Sequence, residues 1–160
     1  MGGRPLIRHA VRVLLVDDLD HVLLFRARDP VTGAAFWFPP GGGLEPGEDV
    51  EAAARRELRE ETGRSGIELG AEVWHRRHVF NWRDAQYDQR ERWFLARTER
   101  FDPDLAGVSE TEKTDLAGWR WWTLAELHAT TEELTPRELA RHLGDLLRDG
   151  PPSTPITVGV

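Results

Sequence analysis

One segment of the chain joins a glycine-rich loop to a helix that carries clustered carboxylates, and it runs from Gly42 to Gly63. Its helical part places Glu57, Glu60 and Glu61 at spacings i, i+3 and i+4, so their side chains share one face within about a single turn. Like charges on one face cost roughly 0.2 to 0.5 kcal/mol per pair in an isolated helix. The chain therefore either accepts this cost at its surface or supplies a cation. Mg²⁺ and Mn²⁺ are the natural candidates because hard divalent ions prefer oxygen ligands.

The spacing of glycines and charged residues in this segment resembles the Nudix box. That box reads Gly, five residues, Glu, seven residues, Arg-Glu-aliphatic, one residue, Glu-Glu, one residue, Gly, and the chain matches it from Gly42 to Gly63 at every charged and glycine position. The preceding Pro39-Pro40-Gly41 is similar to the loop that leads into the box in that family. One departure is Arg64, where the family usually has an aliphatic residue, with Ile67 three positions later.

The resemblance implies an α+β fold of the Nudix type, an αβα sandwich in which a mixed β-sheet lies between helices. It also implies hydrolysis of a phosphoanhydride bond in a nucleoside diphosphate linked to another group. The cofactor would be Mg²⁺ or Mn²⁺, and the substrate a small phosphorylated, nucleotide-derived compound. The alternative is a non-catalytic Nudix-like domain that binds a nucleotide or sugar nucleotide. Such domains typically degrade the box, whereas this box is intact, so the hydrolase is the leading hypothesis.

The resemblance further implies which residues form the metal site. Carboxylates of the helix and one backbone carbonyl would hold the ion, while an arginine would orient the carboxylates by pairing with Glu48 or Glu57. An arginine suits this role because its planar fork binds a carboxylate through two hydrogen bonds and stays charged. The metal ligands are Glu57, Glu60, Glu61 and the carbonyl of Gly41, the orienting arginine is Arg56, and the structural positions are Gly42, Glu48 and Gly63.

The general base is open between a box glutamate and an acidic residue of a later loop. Residues 101–117 combine Pro, Gly and acidic residues, which is typical of a loop, and long loops are often functional. Glu57 is one candidate for the base. The others are Glu110, Glu112 and Asp115, which would supply a base or a further metal ligand unless they are ordinary solvated carboxylates.

Four residues outside the box are candidates for substrate binding. Arg26 and Arg28 stand two apart on a predicted strand, share a face and precede the metal loop, which suits a phosphate contact. Trp37 and Phe80 lie on predicted strands and offer ring faces on which a nucleobase stacks. The alternative role is structural in each case, as edge charges for the arginines and as core packing for the rings.

Hydrophobic periodicity and capping residues predict the remaining elements. Asp49 is the expected N-cap of the box helix, and Thr123 forms a capping box with Glu126 at the start of a later one. Predicted strands cover residues 11–16, 22–28, 36–38, 72–82, 87–98 and 119–122, and predicted helices cover residues 49–62, 123–128 and 136–148. We expect a single domain over residues 1–150, followed by a loosely held tail over residues 151–160, for which the alternative is a partner-binding strand at residues 153–160.

The composition excludes several classes of function. A net charge of −7 argues against sequence-independent binding of nucleic acid, which depends on a basic surface. The absence of cysteine excludes disulfides, thiolate zinc sites and cysteine nucleophiles. No apolar run approaches the roughly 18 residues of a membrane-spanning helix, and the N-terminus lacks the apolar core of a signal peptide. These features predict a cytoplasmic protein without a membrane partner, and a homodimer stays open because dimers are common among soluble proteins.

Overall fold

The computed structural model describes residues 3–82, 84–108 and 116–160. These residues form a mixed β-sheet with helices packed on both of its faces. The strands are β1 (Leu6–Val16), β2 (Val22–Arg28), β3 (Ala35–Phe38), β4 (Gly41–Gly43), β5 (Glu72–Trp82), β6 (Ala85–Arg97), β7 (Leu116–Trp122), β8 (Glu133–Leu134) and β9 (Ile156–Val158). The helices are α1 (Val50–Thr62), α2 (Leu124–Ala129) and α3 (Leu139–Asp149), with a 3-10 turn at Leu105–Gly107.

The two strands of the N-terminal hairpin meet beside their turn and then diverge. The strand order is β8-β3-β2-β1-β6-β5-β9, and β4 pairs with β1 while β7 pairs with β2. β1 runs parallel to β6 along its whole length, whereas its antiparallel pairing with β2 lies at Val16 and Val22. β4 pairs with the stretch from Ala10 to Arg12 in the first half of β1. The separation of β1 from β2 leaves space for a cleft beside β4.

The alternation of side chains along β1 divides the core into two layers. Leu14 packs on one face of the sheet with residues of α2 and α3, among them Leu143. Val13 and Leu15 pack on the other face with residues of α1, among them Leu58. Because successive strand residues point to opposite faces, one continuous apolar run serves both layers. This arrangement confirms the predicted αβα sandwich of the α+β class.

The predicted ends of α1 and the predicted start of α2 are confirmed. The Asp49 side chain accepts a hydrogen bond from the amide of Ala52 at 2.7 Å, and Gly63 ends α1 in the left-handed conformation with a φ of 75°. Thr123 and Glu126 form the reciprocal capping box at the start of α2. Within the described ranges, no helix has the length and apolar character needed to cross a membrane.

Several element boundaries differ from the prediction because contacts distant in sequence set them. β1 begins at Leu6 rather than at residue 11, since its pairing with β6 extends to Tyr87 and includes the polar Arg8. α3 begins at Leu139 rather than at residue 136, because the Leu139 amide first bonds to the Pro136 carbonyl in a turn. The short strands β4 and β8 carry no alternating apolar pattern that would have predicted them.

The prediction of a loosely held tail is wrong for the end of the chain. Residues 156–158 form β9, which pairs in parallel with β5 from Trp74 to Arg76. Val158 is 3% exposed and belongs to the core layer that also contains Trp74. The physical reason is that β5 would otherwise present an open sheet edge with unpaired backbone groups. The tail satisfies those groups and buries one apolar side chain in doing so.

Asp88 ties β5 to β6 and allows a test of the pH dependence of stability. Its carboxylate accepts two hydrogen bonds from Arg77, both at 2.8 Å, and one from Arg90 at 3.2 Å. The bonds from Arg77 act first to hold the pKa of Asp88 at about 2, below its ordinary value of 3.8. Because the folded-state pKa is depressed, the contribution to stability is present above pH 3.8 and is lost as the pH falls through about 2.

We therefore expect Asp88→Asn to lower the free energy of unfolding near neutral pH, with the difference from wild type shrinking as the pH approaches about 2. Urea unfolding at a series of pH values measures this difference. Asp18→Asn, at an exposed position in the turn after β1, is the control and should show little effect at any pH. A difference for Asp88→Asn that is the same near neutral pH and near pH 2 would contradict the assignment.

Candidate active site

A single guanidinium, that of Arg56, connects the glycine-rich loop to the acidic face of α1. Its Nε and Nη2 atoms donate to the two oxygens of Glu48 at 2.8 and 2.9 Å, and Nη2 also donates to the Gly43 carbonyl at 3.0 Å. Its Nη1 atom donates to Glu57 at 3.0 Å and to Glu60 at 3.2 Å. The bonds from Arg56 lower the pKa of Glu48 to about 2. Arg56 thus pairs with both of the glutamates between which the sequence left a choice.

Glu57 and Glu61 form a pair of buried acids on α1. They are 7% and 6% exposed, and the amide of Gly41 donates to Glu61 Oε1 at 3.0 Å. Burial raises the pKa of Glu61 well above its ordinary value, and a hydrogen bond and the negative charge of Glu57 add to the shift, while the charge of Arg12 opposes it. Two negative charges at these buried positions therefore require compensation from neighbouring groups.

The glycine at position 42 is required by the close approach of Glu57 to the backbone. A Cβ atom at Gly42 would lie 2.5 Å from Glu57 Oε1 and 2.7 Å from its Cδ, closer than side-chain atoms pack. The Glu57 carboxylate thus occupies the volume that a side chain at Gly42 would fill. This contact explains why the loop before α1 has a glycine at position 42, which has no side chain.

The buried carboxylates could supply two oxygen ligands to a hard divalent cation, but they do not form a complete coordination shell. Within residues 3–82, 84–108 and 116–160, no group of three or more His, Asp or Glu side chains is placed to hold a metal ion by itself. Glu60 is partly exposed and turns toward Arg56. Mg²⁺ commonly takes one or two protein carboxylates and completes its coordination with water and substrate phosphate. Glu57 and Glu61, held against glycine backbone, provide such a donor set.

A cleft of about 580 Å³ is lined by the carboxylate pair together with Gly41 and Gly42. Its volume lies within the range of small-molecule sites, roughly 300 to 1,000 Å³. The basic part of the lining consists of Arg8, Arg12, Arg76, Arg137 and His78. The aromatic part consists of Phe36, Phe38, Phe80, Trp82 and Tyr87. Acidic, basic and aromatic surfaces are therefore combined in one continuous site.

Glu91 is a buried acid within the basic part of the cleft. It is 3% exposed and accepts hydrogen bonds from Arg76 at 3.0 Å, from Trp93 at 3.0 Å and from Gln89 at 2.5 Å. Burial would raise its pKa, but the charges of Arg12 and Arg76 hold it below its ordinary value. Glu91 therefore stays ionised and holds the arginines on both sides of it.

Arg8 and Arg12 of β1 carry positive charge close to the carboxylate pair. Arg8 donates to Gln89 at 2.7 Å, and Arg12 donates to the Pro39 carbonyl at 3.3 Å. The pKa of Arg8 lies below its ordinary value because the cleft removes part of its hydration and because Arg12 lies nearby. The Nε atom of Arg12 is buried and has no hydrogen-bond partner within the described residues. That atom lies 3.9 Å from Glu91 Oε2, so the groups suited to an anion such as phosphate are the guanidinium charges of Arg8 and Arg12 as a whole.

These two arginines were not among the residues predicted from the sequence, although one of them left a signal. Arg12 interrupts the otherwise apolar run of residues 11–16, and a charge inside a buried strand calls for a partner. Arg8 lies before the predicted start of the strand, so its place on the same face was not apparent. Glu91 and Gln89 lie in a predicted strand, but their position beside β1 depends on a parallel pairing that the sequence does not reveal.

Of the four predicted substrate-binding residues, Phe80 lines the cleft, whereas Arg26, Arg28 and Trp37 do not. Strand alternation turns Ala27, between the two arginines, toward the cleft, and a role of these three residues in substrate binding stays a prediction. Arg26 contacts Glu132 at 3.5 Å, and Arg28 donates to the Gly33 carbonyl.

Trp37 belongs to the core instead of the site. Its indole Nε1 donates to Glu132 at 2.6 Å, and its ring packs edge to face on Trp122 with 4.9 Å between centroids. Core packing was the structural alternative for this ring. The candidate acids Glu110, Glu112 and Asp115 lie outside the residues that the structure describes, so their role stays a prediction.

A second groove, of about 550 Å³, lies on the other side of α1 and is separate from the carboxylate pair. Three of the residues that line it are Arg55, Arg59 and Arg64, and the rest include the loop at residues 65–69. None of Glu57, Glu60 and Glu61 contributes to it. The chemistry of the box is therefore associated with the larger cleft.

The fold and the site define the class of enzymes that hydrolyse phosphoric anhydrides, and comparison with known proteins identifies the family. The model of the NUDIX domain matches residues 6–143. The chain is 36% identical over 132 residues to the RNA pyrophosphohydrolase of Roseobacter denitrificans. This alignment covers 75% of this chain and 79% of that protein. The chain belongs to the NUDIX domain family, as the box predicted.

Solved structures agree with this assignment at the level of the fold. The MutT protein from Methanosarcina mazei Go1 superposes with a TM-score of 0.67 at 19% identity, covering 92% of this chain and 98% of that chain. The C. elegans Ap4A hydrolase, in a binary complex, has a TM-score of 0.63 at 21% identity, covering 88% and 98%. At these identities the likeness establishes the architecture.

The role of Arg56 in holding the site together leads to a stability prediction. Arg56→Gln removes the charge that faces Glu48, Glu57 and Glu60, and we expect it to lower the free energy of unfolding by about 1 to 3 kcal/mol. Arg56→Lys keeps the charge but loses the paired hydrogen bonds, so its effect should be smaller.

Urea unfolding in EDTA measures both variants of Arg56. The matched control is Arg55→Gln, which changes the neighbouring and exposed arginine, paired with Glu51 at 3.8 Å. That control should change the free energy of unfolding by no more than about 0.5 kcal/mol. Equal losses for Arg55→Gln and Arg56→Gln would show that the network contributes no particular stability.

Proposed function

We propose that the carboxylate pair of α1 and the adjoining cleft bind Mg²⁺ or Mn²⁺ and hydrolyse a phosphoanhydride bond in a nucleotide-linked substrate. The chain is a Nudix hydrolase, and hydrolysis of such a bond is the activity of that class. The observation that carries the proposal is the burial of Glu57 and Glu61 in the lining of a cleft that also contains arginines.

The charged residues of α1 have separate roles in this proposal. Glu57 and Glu61, with the Gly41 carbonyl, would hold the ion, and Glu60 would join them from the exposed side of the same helix face. A bound divalent ion lowers the pKa of a water molecule and neutralises phosphate oxygens. Arg56 keeps Glu57 and Glu60 oriented through its hydrogen bonds of 3.0 and 3.2 Å.

The remaining lining of the cleft suits the other parts of a nucleotide. Arg8 and Arg12 lie next to the carboxylates and would bind the phosphate groups as the scissile bond is positioned. Phe80 and Tyr87, with ring centroids 5.8 Å apart, offer an aromatic surface for a base. In this proposal the phosphates bind next to α1, because Arg8 and Arg12 act on its carboxylates.

The general base would be Glu57 or one of the acids Glu110, Glu112 and Asp115. The pH dependence of kcat in Gln or Asn variants of these residues distinguishes the candidates. The base is the residue whose substitution removes the acidic limb of the profile while metal affinity is kept. A carboxylate that only binds metal would instead lose metal affinity along with activity.

The proposed substrate is small or is recognised through its terminal nucleotide. The Roseobacter denitrificans relative is named RNA pyrophosphohydrolase, and the C. elegans structural neighbour is named Ap4A hydrolase. A chain with net charge −7 lacks the overall basic character of a protein that grips a long RNA, so contacts would be confined to the cleft. We also propose a cytoplasmic location and a homodimer, and analytical ultracentrifugation tests the latter.

The metal-ligand assignment predicts loss of activity with retention of the fold. Glu60→Gln and Glu61→Gln are each expected to lower kcat by a factor of at least about 100, because each removes a charged oxygen donor. Glu51→Gln changes an exposed acid on the same helix and should keep full activity. Circular dichroism and cooperative unfolding confirm that the variants fold. A fully active Glu60→Gln/Glu61→Gln double variant would refute the assignment.

A substrate screen tests the activity itself. Phosphate or pyrophosphate release is measured on nucleoside triphosphates, oxidised nucleotides, ADP-ribose, nucleotide sugars, dinucleoside polyphosphates and 5′-triphosphorylated RNA. We expect release from at least one of these compounds with Mg²⁺ or Mn²⁺ and none with EDTA. Absence of metal-dependent release from every compound, together with measurable binding, would favour the non-catalytic nucleotide-binding domain instead.

A further inference from the structure

The last five residues of the chain, 156–160, form a segment that we call the C-terminal strap. Its strand β9 runs parallel to β5, with Trp74 opposite Ile156 and Arg76 opposite Val158. Val158 is buried in the same core layer as Trp74, so the strap is packed as well as paired. The strap therefore forms a fixed part of the sheet next to the residues of β5 that line the cleft.

The strap holds a cleft residue directly, through its backbone. The Nε atom of Arg76 donates to the carbonyl of Gly159 at 3.2 Å, and Nη1 donates to Glu91 at 3.0 Å. Arg76 is 5% exposed and lines the cleft. Its Nη2 atom makes no hydrogen bond to another residue in the described part of the chain. Two nitrogens of the guanidinium, Nε and Nη1, are thus held by the protein, and the third, Nη2, is available to a ligand.

The end of the strap also contacts a second segment that lines the cleft. The carbonyl of Val160 accepts a hydrogen bond from the backbone amide of Arg137 at 3.2 Å. Val160 and Arg137 both line the cleft, and Arg137 precedes α3. The strap therefore bridges β5 and the segment before α3, two walls that are distant in sequence.

We propose that the C-terminal strap is a substrate-positioning element that fixes Arg76 so that its free Nη2 binds the anionic part of the substrate. This inference rests on the proposed function, in which the cleft binds a phosphorylated compound. Because a docked strap orients Arg76 and a bound anion holds Arg76 in the same orientation, docking and binding favour each other. Removing the strap should weaken binding without removing the carboxylates that act on the bond.

A double-variant cycle in steady-state kinetics tests the proposal. Deletion of residues 156–160 is expected to raise KM about tenfold while kcat changes less than about twofold, because a hydrogen bond to a charged group is lost. Arg76→Gln should raise KM by a similar factor. If the strap acts through Arg76, the double variant should have a KM no higher than the larger single effect. Additive increases, or a fall in kcat at constant KM, would overturn the proposal.

A control separates positioning from the general effect of altering a sheet edge. Thr157→Ala changes an exposed residue of the same strand, which does not line the cleft, and it should leave KM unchanged. If the deletion lowers the melting temperature into the range of the assay, Val158→Ala replaces it and should raise KM in the same direction. A KM increase for Thr157→Ala equal to that of the strap variants would show that only edge stability matters.

A binding measurement keeps this test independent of turnover. With inorganic pyrophosphate and Mg²⁺ as the probe, calorimetry should show about tenfold weaker binding after deletion of the strap. By reciprocity, saturating pyrophosphate should slow hydrogen exchange of the amides of residues 156–160 in the full chain. Unchanged exchange and unchanged affinity would refute the coupling. A protein that hydrolyses nothing but shows both effects would refute the proposed function and retain this inference.

Discussion

The buried pair of acids formed by Glu57 and Glu61 is the interaction on which the rest of the site depends. Taking a carboxylate out of water costs several kcal/mol per ion in a protein, so the pair requires compensation from its surroundings. Arg56 binds Glu57, the Gly41 amide binds Glu61, and the charge of Arg12 acts on Glu61. The glycine-rich loop and the acidic helix are therefore one physical unit, because each supplies the groups that the conformation of the other requires.

Arginines are concentrated in the lining of the cleft, although the net charge of the whole chain is −7. Glu91 is ionised and buried between Arg12 and Arg76, and it neutralises part of their charge. Burial and the nearby charge of Arg12 lower the pKa of Arg8, while Glu57 and Glu91 act in the opposite direction, so acids and arginines are interleaved around it. A chain with net charge −7 can thus bind phosphate at one place, provided that its acids are paired there. The composition argues only against an extended basic surface.

The parts of the site that sequence reasoning predicted are those in which the responsible contacts are local. Asp49 and Gly63 bound α1 through hydrogen bonds within a few residues of themselves, so their residue types were sufficient. The spacing of the box glutamates on one helix face likewise depends on helix geometry alone. The family assignment followed from the same short segment, whose specificity comes from fixed spacings rather than from tertiary structure.

The parts that were missed depend on strand pairing. Arg26 and Arg28 do share a face of β2, but which face meets the cleft is decided by the divergence of β2 from β1. The contact between Arg8 and Gln89 joins residues 81 positions apart in sequence through a parallel pairing, for which no turn gives a signal. Local periodicity gives the alternation of a strand and leaves its neighbours undetermined.

The C-terminal strap shows how one contact serves stability and binding together. β5 needs a neighbour on its free edge, and any short segment with an apolar residue opposite Arg76 would satisfy that need. This segment additionally directs the Gly159 carbonyl at the guanidinium of Arg76, whose other partner is the buried Glu91. Arg76 has one hydrogen bond to the strap and one to Glu91 in the cleft, so a shift of either partner changes the position of Arg76. The edge of the sheet and the cleft are therefore coupled through Arg76, and a change in the tail reaches the cleft without altering α1.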